Sequence, residues 1–222
     1  MWKRGRLDTF TDKIISYMDS IFVDHAIFRL FWRSYAKIDD FVYRSNQPLP
    51  YQIKLDIKRN KIRSIINLRG KRDCSSYYLE RNFCKRYNIK LYNFPISSRD
   101  MPSKEKLKDF FKLLDAVEYP TSMHCKSGAD RAGLAAALYL IYKKRLPVEI
   151  ALKQLSLKHL HIKYAKTGVL DFFFRKAIED DCNMPERFIL WIEKKYNPKM
   201  LKEKFMSNRL YNVLVDRLLK RE

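Results

Sequence analysis

Residues 121–142 leave the chain little freedom. His124 ends a short segment that reads as a buried strand, although Thr121 and Ser122 make it weak by composition. Residues 126–130 must then turn the chain, and Gly128 supplies the backbone freedom for it. Leu134-Ala-Ala-Ala-Leu-Tyr-Leu-Ile-Tyr follows at once as a strong helix former. A strand that runs directly into a helix is the repeating piece of a parallel α/β sheet.

Upstream residues repeat the alternation. Phe41-Val-Tyr-Arg-Ser reads as a strand, and Gln47-Pro-Leu-Pro breaks the chain before a helix over 51–60. The β-branched run 62–68 is a second strand, ended by Arg69-Gly70. A helix over 75–87, a strand over 90–94 and a helix opened by Pro102 and Ser103 come next; Tyr119-Pro120 stops the last of these. Beyond the loop, helices are expected at 147–157 and 168–179, then across 186–220 with a break at Asn197-Pro198. The expected fold is an α/β sandwich: a small, mainly parallel sheet flanked by helices, with N- and C-terminal helices added. The division is 1–39 as an N-terminal helical segment, 40–180 as the central domain and 181–222 as a C-terminal helical extension.

With 222 residues and 46% hydrophobic content the chain can bury a real core, and disorder is excluded. The formal net charge of +21 fits an anionic partner, but it equally fits a solvated lysine-rich face. Four cysteines (Cys74, Cys84, Cys125, Cys182) show no metal-ligand spacing, and no secretory signal precedes them. A reducing compartment is therefore expected, with the chain cytoplasmic or peripheral at the inner face of a membrane. Over residues 8–36, Ile14, Met18, Ile21 and Phe22 recur at helical spacing, and a dense apolar cluster runs from Ile27 to Trp32. An interfacial membrane helix would explain the pattern. A helix whose apolar stripe packs on the central domain is preferred, because acidic residues stand where a membrane helix wants basic ones.

The chemistry lies in His124-Cys-Lys-Ser-Gly-Ala-Asp-Arg-Ala-Gly. A helix N-terminus offers unpaired N–H groups and the positive end of a dipole, so an anion is favoured there. Cys125 falls at the bottom of that nest, where the thiolate is the reactive form. Arg131 closes it with a planar fork that fits two phosphate oxygens. Nucleophile, anion receptor and clamp thus fall within seven residues. The expected reaction is thiolate attack on a phosphomonoester, then hydrolysis of the cysteinyl-phosphate by water, with no cofactor or metal.

The segment 124–131 closely resembles the signature loop of the protein tyrosine and dual-specificity phosphatase superfamily. With Val42-Tyr-Arg-Ser-Asn-Gln-Pro and Ile65-Ile-Asn-Leu-Arg-Gly, it extends the resemblance to about residues 40–175 and to a bacterial subgroup. The resemblance implies the α/β phosphatase fold, the nucleophile role for Cys125 and the clamp role for Arg131. It also assigns the phosphate-cradling backbone to Lys126, Ser127, Gly128, Ala129 and Asp130. The family usually carries Ser or Thr after the arginine, where a hydroxyl helps the cysteine leave; this chain has Ala132, which should slow breakdown of the intermediate. The acid that protonates the leaving oxygen has two candidates. Asp100 lies on a loop between strand and helix, where the family's acid belongs. Asp130 lies in the signature loop and is preferred, because chain connectivity keeps it beside the phosphate.

Other residues carry less. His124 is expected to orient the loop beside the substrate rather than act as a base. His159 and His161 are read as surface or packing residues. Arg69, Lys71 and Arg72 follow a strand end, where substrate contact is plausible. Cys74 is a candidate disulfide partner for Cys125 on oxidation, but a bystander thiol is the simpler reading. Expected substrates are phosphorylated proteins (phosphotyrosine, phosphoserine or phosphothreonine) and phosphorylated lipids or inositols, with peripheral membrane contact a candidate and nucleic acid not expected. The rivals are a phosphate-binding module with little turnover, and a sulfur-transferase or arsenate-reductase use of the same loop.

Overall fold

The computed structural model describes residues 3–24 and 26–207. They form two compact units: the chain up to 96 with 113–136, and 97–112 with the chain from 137 onward.

The first unit holds the sheet, whose strands are β1 (Ala36–Lys37), β2 (Val42–Asn46), β3 (Ser64–Asn67), β4 (Lys90–Asn93) and β5 (Thr121–Cys125). Their order is β1-β2-β5-β3-β4, with only the β1–β2 pair antiparallel. β5 is central, and every residue of it is buried. Its polar composition is tolerated because its hydroxyls are paired across the sheet. Thr121 and Ser64 bring their oxygens within 2.8 Å, Thr121 donates to the Ser64 carbonyl, and Ser64 donates to the Glu118 carbonyl. Apolar contact comes from the neighbours, with Ile65, Ile66, Val42 and Met123 all buried.

The connecting helices begin and end where local chemistry dictates. α1 (Phe10–Phe22) starts at a capping box in which Thr9 and Asp12 exchange hydrogen bonds of 3.1 Å. α2 (Ile27–Phe31) is one turn longer than a bend. α3 (Pro50–Asn60) opens on a proline that has no N–H to leave unpaired, and closes on a left-handed Lys61. α4 (Ser75–Arg86) follows the Asn67 turn, where the Asn67 side chain accepts from the Arg69 N–H and donates to the Gly70 carbonyl.

α1 reverses the expected orientation. Its polar residues Asp12, Ser16 and Ser20 face inward, with Ser20 and Ser76 of α4 bringing their hydroxyls to 2.7 Å, while Phe10, Ile14, Met18 and Phe22 face outward. The apolar stripe does not pack on the domain. The small size of Ser16 and Ser20 allows close approach to α4, and the Ser20 hydroxyl finds its partner there in Ser76.

In the second unit are most of α5 (Lys104–Ala116), the later turns of α6 (Asp130–Tyr142), α7 (Val148–Leu152), α8 (Val169–Glu179), α9 (Pro185–Lys194) and a helix over 198–207. Its core is aromatic: Phe173 meets Phe174, Phe188, Trp191 and Tyr196 at centroid distances of 4.9 to 5.8 Å. The helix expected over 147–157 is shorter, because Ser156 is extended and a 3-10 turn, Leu157–His159, takes over. His161 is buried. The expected break at Asn197-Pro198 is present, and the C-terminal extension lies outside the described residues beyond 207. No helix among the described residues is long and apolar enough to cross a membrane.

Ile66, fully buried in β3, has no room to be replaced without a void. Ile66→Ala should lower the unfolding free energy by about 3 kcal/mol and Ile66→Val by about 1 kcal/mol, read from urea midpoints at constant slope.

Candidate active site

A loop that aims successive N–H groups at an anion must send its carbonyls the other way. In the turn between β5 and α6 the Gly128 N–H and the Gly128 carbonyl take different partners, Cys125 and Arg44. Gly128 sits at φ +79°, in the left-handed region, and its N–H points at Cys125 Sγ at 3.3 Å. A Cβ at this position would fall 2.8 Å from the Asn46 nitrogen and 2.9 Å from the Ser45 carbonyl carbon, both backbone atoms that cannot step aside. The outward carbonyls of Gly128 and Ala129 are buried, and Arg44 of β2 donates to them at 2.6 and 2.9 Å. Burial pushes the Arg44 guanidinium down to about 10, against the charges of Cys125 and Asp130.

The expected site residues fall as follows. Cys125 ends β5, buried, in register with Asn46 of β2. Lys126 and Ser127 are exposed at the rim of the turn, and Gly128 and Ala129 are buried in it. Asp130 opens α6, and Arg131 follows in its first turn, both partly buried. Burial pushes the Arg131 guanidinium down; Cys125 and Asp130 oppose this, while Arg69 and Arg72 add to it. Nucleophile position, acid candidate and two further cations are therefore within electrostatic reach of Arg131. Ala132 is fully buried and offers no hydroxyl. Asp100 belongs to the second unit, where it pairs with Lys202 at 3.0 Å and accepts the Met101 N–H.

His124 is fully buried, and its Nε2 lies 2.6 Å from Oε1 of an equally buried Glu80. The ring faces Glu80, not the open side of the turn. Glu80 accepts from Gln47, and Gln47 accepts from Arg69 at 3.0 Å. Arg69 then grips both oxygens of Asp24 at 3.1 Å. Asp24 also accepts from Arg29 at 3.2 Å and lies 3.8 Å from the Lys126 ammonium. Arg69 is thus buried and committed to the framework, while Lys71 and Arg72 remain exposed.

Arg44, Asp24, Gln47 and Glu80 were not legible as site residues from spacing. The available signal was compositional: an arginine inside a strand, and an aspartate interrupting an apolar run. The four cysteines are all free thiols, and burial pushes those of Cys84 and Cys182 up.

A buried cysteine, an N–H-lined turn and an arginine at a helix start, all at the C-terminal end of a central parallel strand, define a cysteine-based anion site of the phosphatase type. Residues 43–145 match the family described as "Polymorphic toxin system, DSP-PTPase phosphatase". Inositol diphosphatase DSP3 of Arabidopsis thaliana is 35% identical over 107 residues, covering 45% of this chain and 50% of that protein. Inositol diphosphatase DSP4 of the same plant is 30% identical over 107 residues, covering 45% of this chain and 51% of that one. The chain spans about half the length of the curated relatives it matches. The fold is shared with the core catalytic domain of the PP-IP phosphatase SIW14 from S. cerevisiae, solved in complex with citrate. That similarity has a TM-score of 0.50 at 19% identity and covers 67% of this chain and 93% of the other. Over residues 43–145 the chain is similar to phosphatases of the protein tyrosine and dual-specificity type.

Two predictions follow the geometry. Arg44→Met removes the donor to the buried Gly128 carbonyl, while the Ala129 carbonyl keeps the Gly133 N–H, so it should cost about 1 to 3 kcal/mol and abolish the rise in melting temperature that inorganic phosphate gives the wild type. For Asp24, burial raises the carboxyl, but hydrogen bonds from Arg69 and Ser76 and the charges of Arg69 and Arg29 outweigh it and hold it well below the usual range. A carboxyl lowered in the folded state contributes stability that is present above its unfolded value of about 4 and lost as pH falls towards its folded value. Asp24→Asn should therefore be about 3 kcal/mol less stable near neutrality and should lose less on acidification than the wild type, read from denaturation midpoints against pH.

Proposed function

We propose that the chain is a cysteine-dependent phosphatase acting on phosphate groups of inositol phosphates or of phosphotyrosine. The observation that carries this is the Gly128 N–H directed at Cys125 Sγ in a turn that ends on Arg131. The thiolate attacks phosphorus while the bond to the leaving oxygen breaks, giving a cysteinyl-phosphate and the dephosphorylated product. Arg131 and the turn's N–H groups hold the three peripheral oxygens as charge shifts among them. Water then attacks the phosphorus, inorganic phosphate departs, and the thiolate is restored.

Within the substrate class, an inositol carrying a diphosphate (phosphoanhydride) group is favoured by the named activity of the relatives and by the chemistry of this chain. Its leaving group is a phosphate, a far weaker base than an alkoxide, so it makes less demand on a proton donor. The cations Lys126 and Arg72 suit a ligand with several phosphates. Phosphorylated lipid head groups share this chemistry, and peripheral contact with a membrane would bring them to the turn. For the leaving oxygen of a monoester, Asp130 is the preferred donor over Asp100, because it starts the helix that carries Arg131. The second reading, a phosphate binder with little turnover, is favoured by one observation: Ala132 has no hydroxyl to help the thiolate leave.

Phosphate release from an inositol diphosphate and from p-nitrophenyl phosphate, by wild type and variants, tests the scheme. Cys125→Ser should abolish both activities. Asp130→Asn should lower kcat on an alkyl monoester by about a hundredfold and on the diphosphate by less. Asp100→Asn should leave both nearly unchanged, and Ala132→Ser should speed breakdown of the intermediate. An active Cys125→Ser protein would overturn the mechanism. A single burst of product with no further turnover would select the binding module.

A further inference from the structure

The N-terminal helices present an apolar face to solvent. Phe10, Ile14, Met18 and Phe22 point outward along α1, and the face continues to Phe31 and Trp32, which are 87% and 59% exposed. A soluble helix normally buries such a stripe. Here the buried side is polar, and the acidic residues that argued against a membrane helix are turned into the protein. Asp12 is spent on the helix cap, Asp19 on Arg4 at 2.8 Å, and Asp24 on Arg69 and Arg29. What remains exposed near the outward face is Lys3 and Lys13, together with Arg6, which is paired with Asp8 and Asp12 at 3.4 Å.

We propose that this face is a docking surface for an anionic lipid membrane, with the apolar side chains entering the interface and the cations meeting lipid head groups. Charge decides between lipid and a second copy of the chain. Two copies would each bring a net charge of +21, whereas an anionic bilayer offers the opposite sign. Exposed Tyr17 and Trp32 have the amphipathic rings favoured at that depth. The surface also lies close to the proposed active site. The Trp32 carbonyl accepts from Asn46, the register partner of Cys125, and the Ser34 hydroxyl stands beside Gly128. A docked chain would hold the phosphate-binding turn near the head-group layer.

Docking does not depend on turnover, so the two readings fail separately. The full chain should co-sediment with vesicles of phosphatidylcholine and phosphatidylserine, weakly with phosphatidylcholine alone, and less as salt rises. Phe10→Ser with Phe22→Ser should weaken partitioning by about tenfold or more and leave the melting temperature in solution unchanged. Cys125→Ser should bind vesicles like the wild type. No binding to the mixed vesicles, or equal binding by the double variant with its fold intact, would overturn the proposal. So would a self-association that the double variant abolishes in a chain that ignores lipid.

Discussion

The two hydrogen bonds from Arg44 to the Gly128 and Ala129 carbonyls are the constraint on which the turn between β5 and α6 rests. N–H groups converge on a point only if the intervening carbonyls diverge, and here they diverge into the protein. The Ala129 carbonyl also accepts the Gly133 N–H, but without Arg44 the Gly128 carbonyl would cost about 1 to 3 kcal/mol, and the turn would relax by rotating that peptide. That rotation would redirect the Ala129 N–H, which shares the peptide plane of the Gly128 carbonyl. Arg44 is therefore a partner of the backbone and not of the substrate, and its own burial is compensated by the negative charge it faces across the turn. The absence of a Cβ at Gly128 serves the same end from the other side, since β2 passes too close for any other residue.

A second set of buried contacts fixes the strand that carries Cys125. Asp24, Arg69, Gln47, Glu80 and His124 connect in sequence from the N-terminal helices to the residue before Cys125. Removing one member would leave a neighbour buried and unpaired, which is why such a set behaves as a unit. It also has an electrostatic consequence. Asp24 is committed to Arg69 and stands near Lys126, so it takes up part of the positive charge of the region. Asp24 lies outside the segment 43–145 that matches the family.

Much of this was legible in the sequence, for identifiable reasons. Cys125, Gly128 and Arg131 could be read because their roles require adjacent positions on one short piece of backbone, and local chemistry fixes local geometry. The order of β2, α3, β3, α4, β4 and β5 could be read because alternating patterns and proline or glycine stops are also local. Arg44, Gln47 and Glu80 act on the turn from separate strands and helices, and no spacing rule links them. The orientation of α1 could not be read because periodicity reports that a helix has two faces without saying which one the protein takes. The apolar face looked like the buried one, and it is the exposed one.

That inversion follows from the framework it serves. Asp24 must reach Arg69, and Ser16, Ser20 and Asp12 lie on the side of α1 that leads to it. Turning the helix to bury Phe10, Ile14 and Met18 would direct these polar groups outward, break the Ser20–Ser76 contact and pull on the segment that delivers Asp24. The gain from burying three apolar side chains, about 1.5 to 3 kcal/mol each, competes against an ion pair whose loss would strand two buried arginines. The sheet side of the balance wins in this structure. The apolar face is left outside as a consequence of where the charges have to go.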